Sequence, residues 1–468
     1  MGGLRTRLTR FADRETFPIV VVSILAMAVF WLAVGSLGSD SWLGIVAGRE
    51  IVDHGLPQTD RLTIWAAGRD WVDQQWLAQL ILYGVHNLGG LVGLVVVNAA
   101  VVVAGFALAV AAARRLGGSA TAAALVAVPS ILVFLPYTGV RAQPLTYPLF
   151  VALFWFLVRE ARAPSWRVAI AAPILVLWAN LHGSVVLGAG LVALLGIAEA
   201  IARRPLPRAA ALLVLPWLAV LASPYAADLP GYYRTVLWNP AFRNVVTEWA
   251  RPTLADDWPF FVLAVGGGVL IGLARSRFTL FEKLAFLALV LAGLNASRNA
   301  VWVVFAVVIL APRALDALWQ PEGAPRRATL NVALAASAAG LALVIAIAAA
   351  ARPASDYAKE FPAPAARAAA SGARVFANER YADWLLWGDP SLRGRVAFDA
   401  RLELLTADEI RSVAAFRGTV GPDWRRAARG FPMLVLSTKD DARPLRRLLR
   451  DPGVRVVYRD RRVTVLSR

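Results

Sequence analysis

Six residues of this chain have side chains that could do chemistry: the carboxylates Asp40, Asp60 and Glu248, the guanidiniums Arg141 and Arg298, and the imidazole His182. Each stands in a short polar segment between apolar runs, in "SDSW", "LPQTDRLT", "TEWARP", "GVRAQP", "NASRN" and "WANLHGS". A carboxylate at the mouth of an apolar cavity is partly desolvated, which raises its basicity and suits it to take a proton from a hydroxyl. That is one reading of Asp40; the other is a helix N-cap or a solvated loop carboxylate. Asp60 is either a turn carboxylate within Gly55 to Arg61 or a second acid or metal ligand. Guanidinium forks match phosphate oxygens and neutralise a departing phosphate, so Arg141 and Arg298 either serve that role or pair with Glu248 or Asp40. His182 is a substrate contact or a hydrogen-bonded structural residue with Asn180 as its partner. Trp42 and Asn180 complete the set of substrate-binding candidates. With three histidines and no cysteine, a tetrahedral zinc site is not expected. A hard divalent cation on Asp40, Asp60 or Glu248 is left open, and no other cofactor is called for.

These residues must be positioned by membrane helices. Of 468 residues, 58% are hydrophobic and 17% charged, a balance that excludes an ordinary soluble domain and marks a polytopic membrane protein. The net charge of +18 comes mainly from arginines clustered in short loops, as membrane topology demands, which argues against nucleic-acid binding. "GxGxxG" and Walker patterns are absent. Windows of roughly 17 to 21 apolar residues predict about eleven spans. They lie near 17–37, 91–113, 119–136, 145–159, 167–181, 184–202, 208–222, 259–274, 279–295, 299–312 and 329–351. The first is read as a retained anchor, since no small-x-small cleavage site follows it. The run from Arg167 to Arg204 would exceed about 50 Å as one helix, so it must fold back, with the turn at Asn180 to Gly183.

Charge sets the orientation. Arg5, Arg7, Arg10 and Arg14 precede the first span, and later clusters fall in every second loop: Arg114 and Arg115; Arg159, Arg162 and Arg167; Arg203, Arg204 and Arg208; Arg275, Arg277 and Lys283; Arg313, Arg326 and Arg327. By the positive-inside rule these loops are cytoplasmic, and the polar segments face outward. The expected domains are a multi-span domain 1–351 with a large first outer loop 38–90, a Pro/Ala-rich linker 352–373, and an extracytoplasmic α/β domain 374–468. In the last, strands are predicted at Arg374 to Ala377, Arg395 to Asp399, Met433 to Ser437, Val454 to Tyr458 and Val463 to Leu466, alternating with helical patterns.

Taken together, Asp40-x-Trp42, Gly48-Arg49, Ile51, Gly55-x-Pro57, Asp60, Thr63, Gly68, Trp71 and Trp76-Leu77, then "RAQP", "WANLHG", "SPY", "EW" and "SRN", resemble bacterial polytopic proteins of the C-type glycosyltransferase (GT-C) superfamily. The layout is similar to protein mannosyltransferase and aminoarabinose transferase relatives. Two C-terminal segments, "VFANERYADWLLW" and "VAFDARLEL", look like that family's own, so the likeness covers most of the chain. The resemblance implies an inverting transferase of the bacterial inner membrane that uses a polyprenyl-phosphate sugar, with Asp40 as base and a glycan, lipid or protein as acceptor. Gln75 stands where many relatives carry an acid, and Ala400 where they carry glycine. The competing expectations are a transporter or flippase of lipid-linked saccharides and a non-catalytic envelope scaffold.

Overall fold

The computed structural model of the chain describes residues 2–238, 247–319, 327–369 and 374–468. Arg326 and residues 370–373, assigned above to a basic cluster and to the linker, lie outside the described residues. Helices occupy all eleven apolar runs. In chain order the helices are α1 (Gly2–Arg14), α2 (Thr16–Leu32), α3 (Ser39–His54), α4 (Trp76–Arg115), α5 (Ala120–Phe134), α6 (Tyr147–Arg162) and α7 (Ala171–Leu181). They continue with α8 (Val185–Ile201), α9 (Leu206–Val220), α10 (Leu229–Trp238), α11 (Trp258–Leu273), α12 (Leu280–Asn295), α13 (Ala300–Leu318) and α14 (Ala328–Ala350). By length and composition, Trp76–Arg115, Ala120–Tyr137, Ser297–Leu318 and Ala328–Ala350 are able to cross a membrane; Thr16–Leu32, Trp166–Leu181, Val185–Ile201, Leu206–Val220 and Trp258–Leu273 are apolar but shorter.

Local sequence explains the breaks between helices. The run 167–204 folds back where expected: α7 ends at Leu181, His182 is extended, and α8 resumes at Val185. Helix α4 bends at Gly90, whose φ of 60° and ψ of −156° are open to glycine alone at little cost. The bend separates the first half of the helix from the longer apolar run that starts at Leu91. Gly44 and Gly48 let α3 lie against that first half, because a Cβ on Gly48 would sit 2.3 Å from the Gln79 carbonyl oxygen and 2.5 Å from the Tyr83 Cβ.

The helix ends sort into two sets. At one end the Trp76 indole donates to Asn180 (2.8 Å), the Ser41 hydroxyl to the Val140 carbonyl (2.5 Å), the Tyr225 hydroxyl to the Pro57 carbonyl (2.8 Å) and the Ser297 hydroxyl to the Glu248 carbonyl (3.2 Å). These bonds tie the stretch 39–76 to the segments at Val140, Asn180 and Tyr225, and the segment at Ser297 to that at Glu248. At the other end the basic loops gather: Arg114 meets Glu15 (2.7 Å), Glu282 takes Arg162 (3.0 Å) and Arg313 (2.8 Å), and Arg208 lies between Glu160 (3.1 Å) and Glu199 (2.9 Å).

The C-terminal region holds a four-stranded sheet, β1 (Val375–Ala377), β2 (Met433–Ser437), β3 (Arg455–Arg459) and β4 (Val463–Ser467), in the order β1-β2-β4-β3. Only the β1–β2 pair is parallel. Arg395 to Asp399, expected as a strand, makes only isolated bridges, to Val375 on one side and Thr63 on the other. The cause is its use as a stitch: Ile64 and Trp65 donate to the Val396 and Ala397 carbonyls (2.8 and 3.0 Å), joining the segment between α3 and α4 to β1. One apolar core therefore combines Trp42, Ile45 and Val46 of α3 with Trp71, Val396, Val435 and Val463. Tyr357 and Phe361, in the Pro/Ala-rich segment, are buried in the same core, so the segment packs instead of hanging as a tether.

A buried ion cluster locks this junction. Arg401, 3% exposed, places Nη2 2.6 Å from Asp60 and 2.5 Å from Asp399, with its guanidinium 4.1 Å above the Trp71 ring. Burial alone would push the Asp60 carboxyl up, but Arg401 and hydrogen bonds from Thr63 and Leu62 bring it below its ordinary value. Two outcomes follow from this packing. In thermal unfolding of the detergent-solubilised protein, Gly48→Ala is expected to cost ~1–3 kcal/mol by overpacking, whereas Gly84→Ala, with open space around it, leaves the midpoint unchanged or slightly raised. Arg401→Met strands two buried carboxylates and is expected to cost ~3–5 kcal/mol in denaturant unfolding followed by tryptophan fluorescence; an unchanged midpoint would contradict the lock.

Candidate active site

A cavity of about 560 Å³ opens between the tied polar segments and the C-terminal region. Asp40, Arg141, His182, Glu248 and Arg298 all line it, so five of the eight residues singled out in the sequence share one space. Its deeper wall is apolar, made by Val186, Leu187, Leu191 and Leu194 of α8, Val236 and Leu237 of α10, and Leu289 and Ala292 of α12.

The other three do not line the cavity. Trp42 is fully buried, its ring 4.6 Å from Trp387 and 5.1 Å from Phe361, and serves the core under α3. Asn180 accepts from Trp76 and donates to the Ala222 and Val176 carbonyls (2.8 Å each), which fixes the α7 end and leaves nothing for His182. Asp60 is committed to Arg401. It acts on the cavity only through that residue, which does line it.

Asp40 is not the N-cap. Gly38 caps α3, and Asp40 falls in the first turn, where the helix dipole favours negative charge. Its side chain is 55% exposed, and that exposure is to the cavity, since protein surrounds the site. Burial raises its carboxyl above the ordinary aspartate range; Arg141 opposes this and Glu248 adds to it. Arg141 is engaged chiefly by Glu248, with Nη1 2.6 and 2.8 Å from the two carboxylate oxygens, and stands 4.0 Å from Asp40. Its Nε and Nη2 find no acceptor among the described residues. Asp40 is therefore near a positive charge without being consumed by it.

Arg298 differs from Arg141. Its guanidinium stacks 4.6 Å from the Trp249 ring centroid, held there because Ser297 bonds the Glu248 and Ala250 carbonyls. Among the described residues no carboxylate comes within 4.0 Å of it. Arg298 thus stands in the cavity wall beside Glu248, Arg141 and Asn299.

His182 has a defined tautomer. The Ser184 amide donates to Nδ1 (3.1 Å), and the Ser184 hydroxyl, itself accepting from the Trp178 indole (3.0 Å), lies 2.8 Å from the same nitrogen. Nδ1 is thus the acceptor and Nε2 carries the proton. Burial and the nearby Arg298 and Arg141 push its pKa well down, so His182 is a neutral donor.

The C-terminal region contributes residues that the sequence reading did not assign to the site. Arg401, Leu402 and Glu403 line the cavity, and burial lifts the Glu403 carboxyl to about 7. Gln75, standing where relatives carry an acid, also lines it. Asp73, two residues earlier, is buried with its carboxyl pushed to about 7 by burial; it accepts from Gln79 (2.8 Å) and its second oxygen has no partner among the described residues. The only available signal for Glu403 was its place two residues after the arginine of "FDAR". No group of three or more acidic or histidine side chains among the described residues is arranged to hold a metal ion. Asp60 and Glu248 are instead each paired with arginine.

Comparison with known proteins agrees with the fold. No protein-family model matches the chain, and no curated protein does. Two crystal structures of ArnT from Cupriavidus metallidurans do, one bound to undecaprenyl phosphate and one in the apo state. The TM-scores are 0.52 and 0.53 at 16% and 17% identity, each covering 96% of this chain and 97% of ArnT. The resemblance read from the sequence holds at the level of fold: from the first helix to the C-terminal sheet, the chain is built like ArnT, an aminoarabinose transferase of the GT-C kind.

Proposed function

We propose that the chain is a multi-pass glycosyltransferase of the bacterial inner membrane, with about eleven spans. Its basic loops are cytoplasmic, and its cavity and C-terminal α/β domain lie outside. It moves a sugar, with inversion, from a polyprenyl-phosphate donor to an acceptor hydroxyl. The observation that carries this is the cavity's two-part wall: charged groups at one end and aliphatic side chains of α8, α10 and α12 at the other. A phosphate on a long prenyl chain has that same division, and ArnT, which shares the fold, was crystallised with such a lipid.

The step assigns each group a role. The Asp40 carboxylate takes the proton of the acceptor hydroxyl as its oxygen attacks the anomeric carbon. The bond between that carbon and the phosphate oxygen breaks from the opposite face, and its electron pair leaves with the polyprenyl phosphate. Arg298 receives the added negative charge; among the described residues no carboxylate lies within 4.0 Å of it, which leaves it available. Arg141, held by Glu248, tunes Asp40 without neutralising it. The Nε2 proton of His182 and the carboxyl of Glu403 orient the sugar or the acceptor.

The test is transfer from a mixed pool of labelled polyprenyl-phosphate sugars by protein in proteoliposomes. Asp40→Asn is expected to lower turnover by ~10²–10⁴-fold while lipid binding is retained; normal transfer by this variant sinks the assignment, and lipid-linked sugar crossing the bilayer without transfer favours a flippase. For wild type, kcat/KM should fall as pH drops through an inflection above the usual aspartate range, because the base must be ionised and burial raises its pKa. Arg141→Gln removes a charge that lowers that pKa, so the inflection should move further up; a downward move would contradict the network.

A further inference from the structure

We propose that the end of the molecule opposite the cavity carries a binding site for the phosphodiester headgroup of an anionic glycerophospholipid, lined by Arg115, Trp155, Arg159 and Arg162. The inference rests on the membrane-embedded reading above but on none of the catalytic assignments. A second concavity, about 490 Å³, lies where the end of α4 meets the last two turns of α6, with Leu116 and Ala163 as its apolar rim.

Its charges are unbalanced. Trp155, Arg159 and Arg162 recur at helical spacing on α6, and the guanidiniums of Arg115 and Arg159 stand 5.6 and 5.1 Å from the Trp155 ring centroid. One ring therefore holds two cations near each other, an arrangement that like-charge repulsion opposes unless an anion joins them. Among the described residues neither Arg115 nor Arg159 has a carboxylate within 4.0 Å. The nearest carboxylate partner in the cluster, Glu282, is shared between Arg162 and Arg313. The Trp155 indole N–H, buried, has no acceptor among the described residues. Three guanidiniums around one hollow fit phosphate oxygens.

Location selects a lipid over a soluble anion. The hollow sits at the ends of apolar helices, and Trp166, three residues beyond its rim, is 74% exposed, as an interfacial tryptophan is. Basic pockets between membrane helices at the cytoplasmic face suit anionic headgroups, which are concentrated in that leaflet.

The experiment reconstitutes the full chain in nanodiscs of phosphatidylcholine, adds phosphatidylglycerol in increasing fraction, and counts retained lipid by native mass spectrometry. Wild type should retain phosphatidylglycerol over phosphatidylcholine, with Arg115→Gln/Arg159→Gln about thirtyfold weaker and Arg167→Gln, an exposed arginine of the same loop outside the hollow, unchanged. Equal loss in the Arg167 variant, no loss in the double variant, or full competition by inorganic phosphate would overturn the site. Failure of wild type to enter nanodiscs at all would overturn the membrane reading itself, an outcome separate from these.

Discussion

The arrangement depends on one buried guanidinium. Arg401 comes from the C-terminal region, yet it is neutralised by Asp60, between α3 and α4, as well as by its own neighbour Asp399, and it lies over the Trp71 ring. An ion buried this deeply is tolerable only when its partners are fixed, so the pairing imposes a single register between loop and sheet. Backbone bonds from Ile64 and Trp65 to Val396 and Ala397 extend that register on one side. Its consequence is functional: the residues just before and after Arg401 become part of the cavity wall, and Glu403 faces the same space as Asp40.

Below that roof, electrostatics divides labour between two arginines. Arg141 is spent on Glu248, which leaves it as a fixed field acting on Asp40 at 4.0 Å. Arg298 has a tryptophan face in place of a carboxylate. Between them stands Asp40, a carboxylate whose basicity burial raises. Aliphatic side chains of α8 and α12 continue the cavity wall beyond these charged groups.

Much of this was legible in the sequence for physical reasons. The apolar runs needed only length and hydropathy, and the hairpin at His182 followed from a helix too long for a bilayer. Asp40, Arg141, His182, Glu248 and Arg298 stood out because polar groups at apolar boundaries are costly there. What failed was distance along the chain. Asp60, left open between a turn carboxylate and a second acid or metal ligand, does accept from Leu62 and Thr63 in its own turn, but its arginine partner is 341 residues away and was not legible; Arg395 to Asp399 read as a strand because alternation cannot reveal that its neighbour is the segment at Thr63 to Trp65. Trp42 and Asn180 were grouped with the site by their motif neighbours, although their contacts are structural.

The central claim is that Arg298 and Asp40 flank a lipid phosphate. A structure of the chain with a polyprenyl phosphate bound measures this directly. Phosphate oxygens are expected within hydrogen-bond reach of Arg298, the prenyl chain against Leu187 and Leu191 of α8 and Leu289 of α12, and the Asp40 carboxylate open on the opposite side of the headgroup. A phosphate seated on another surface, or one leaving Arg298 stacked on Trp249 without contact, would contradict it.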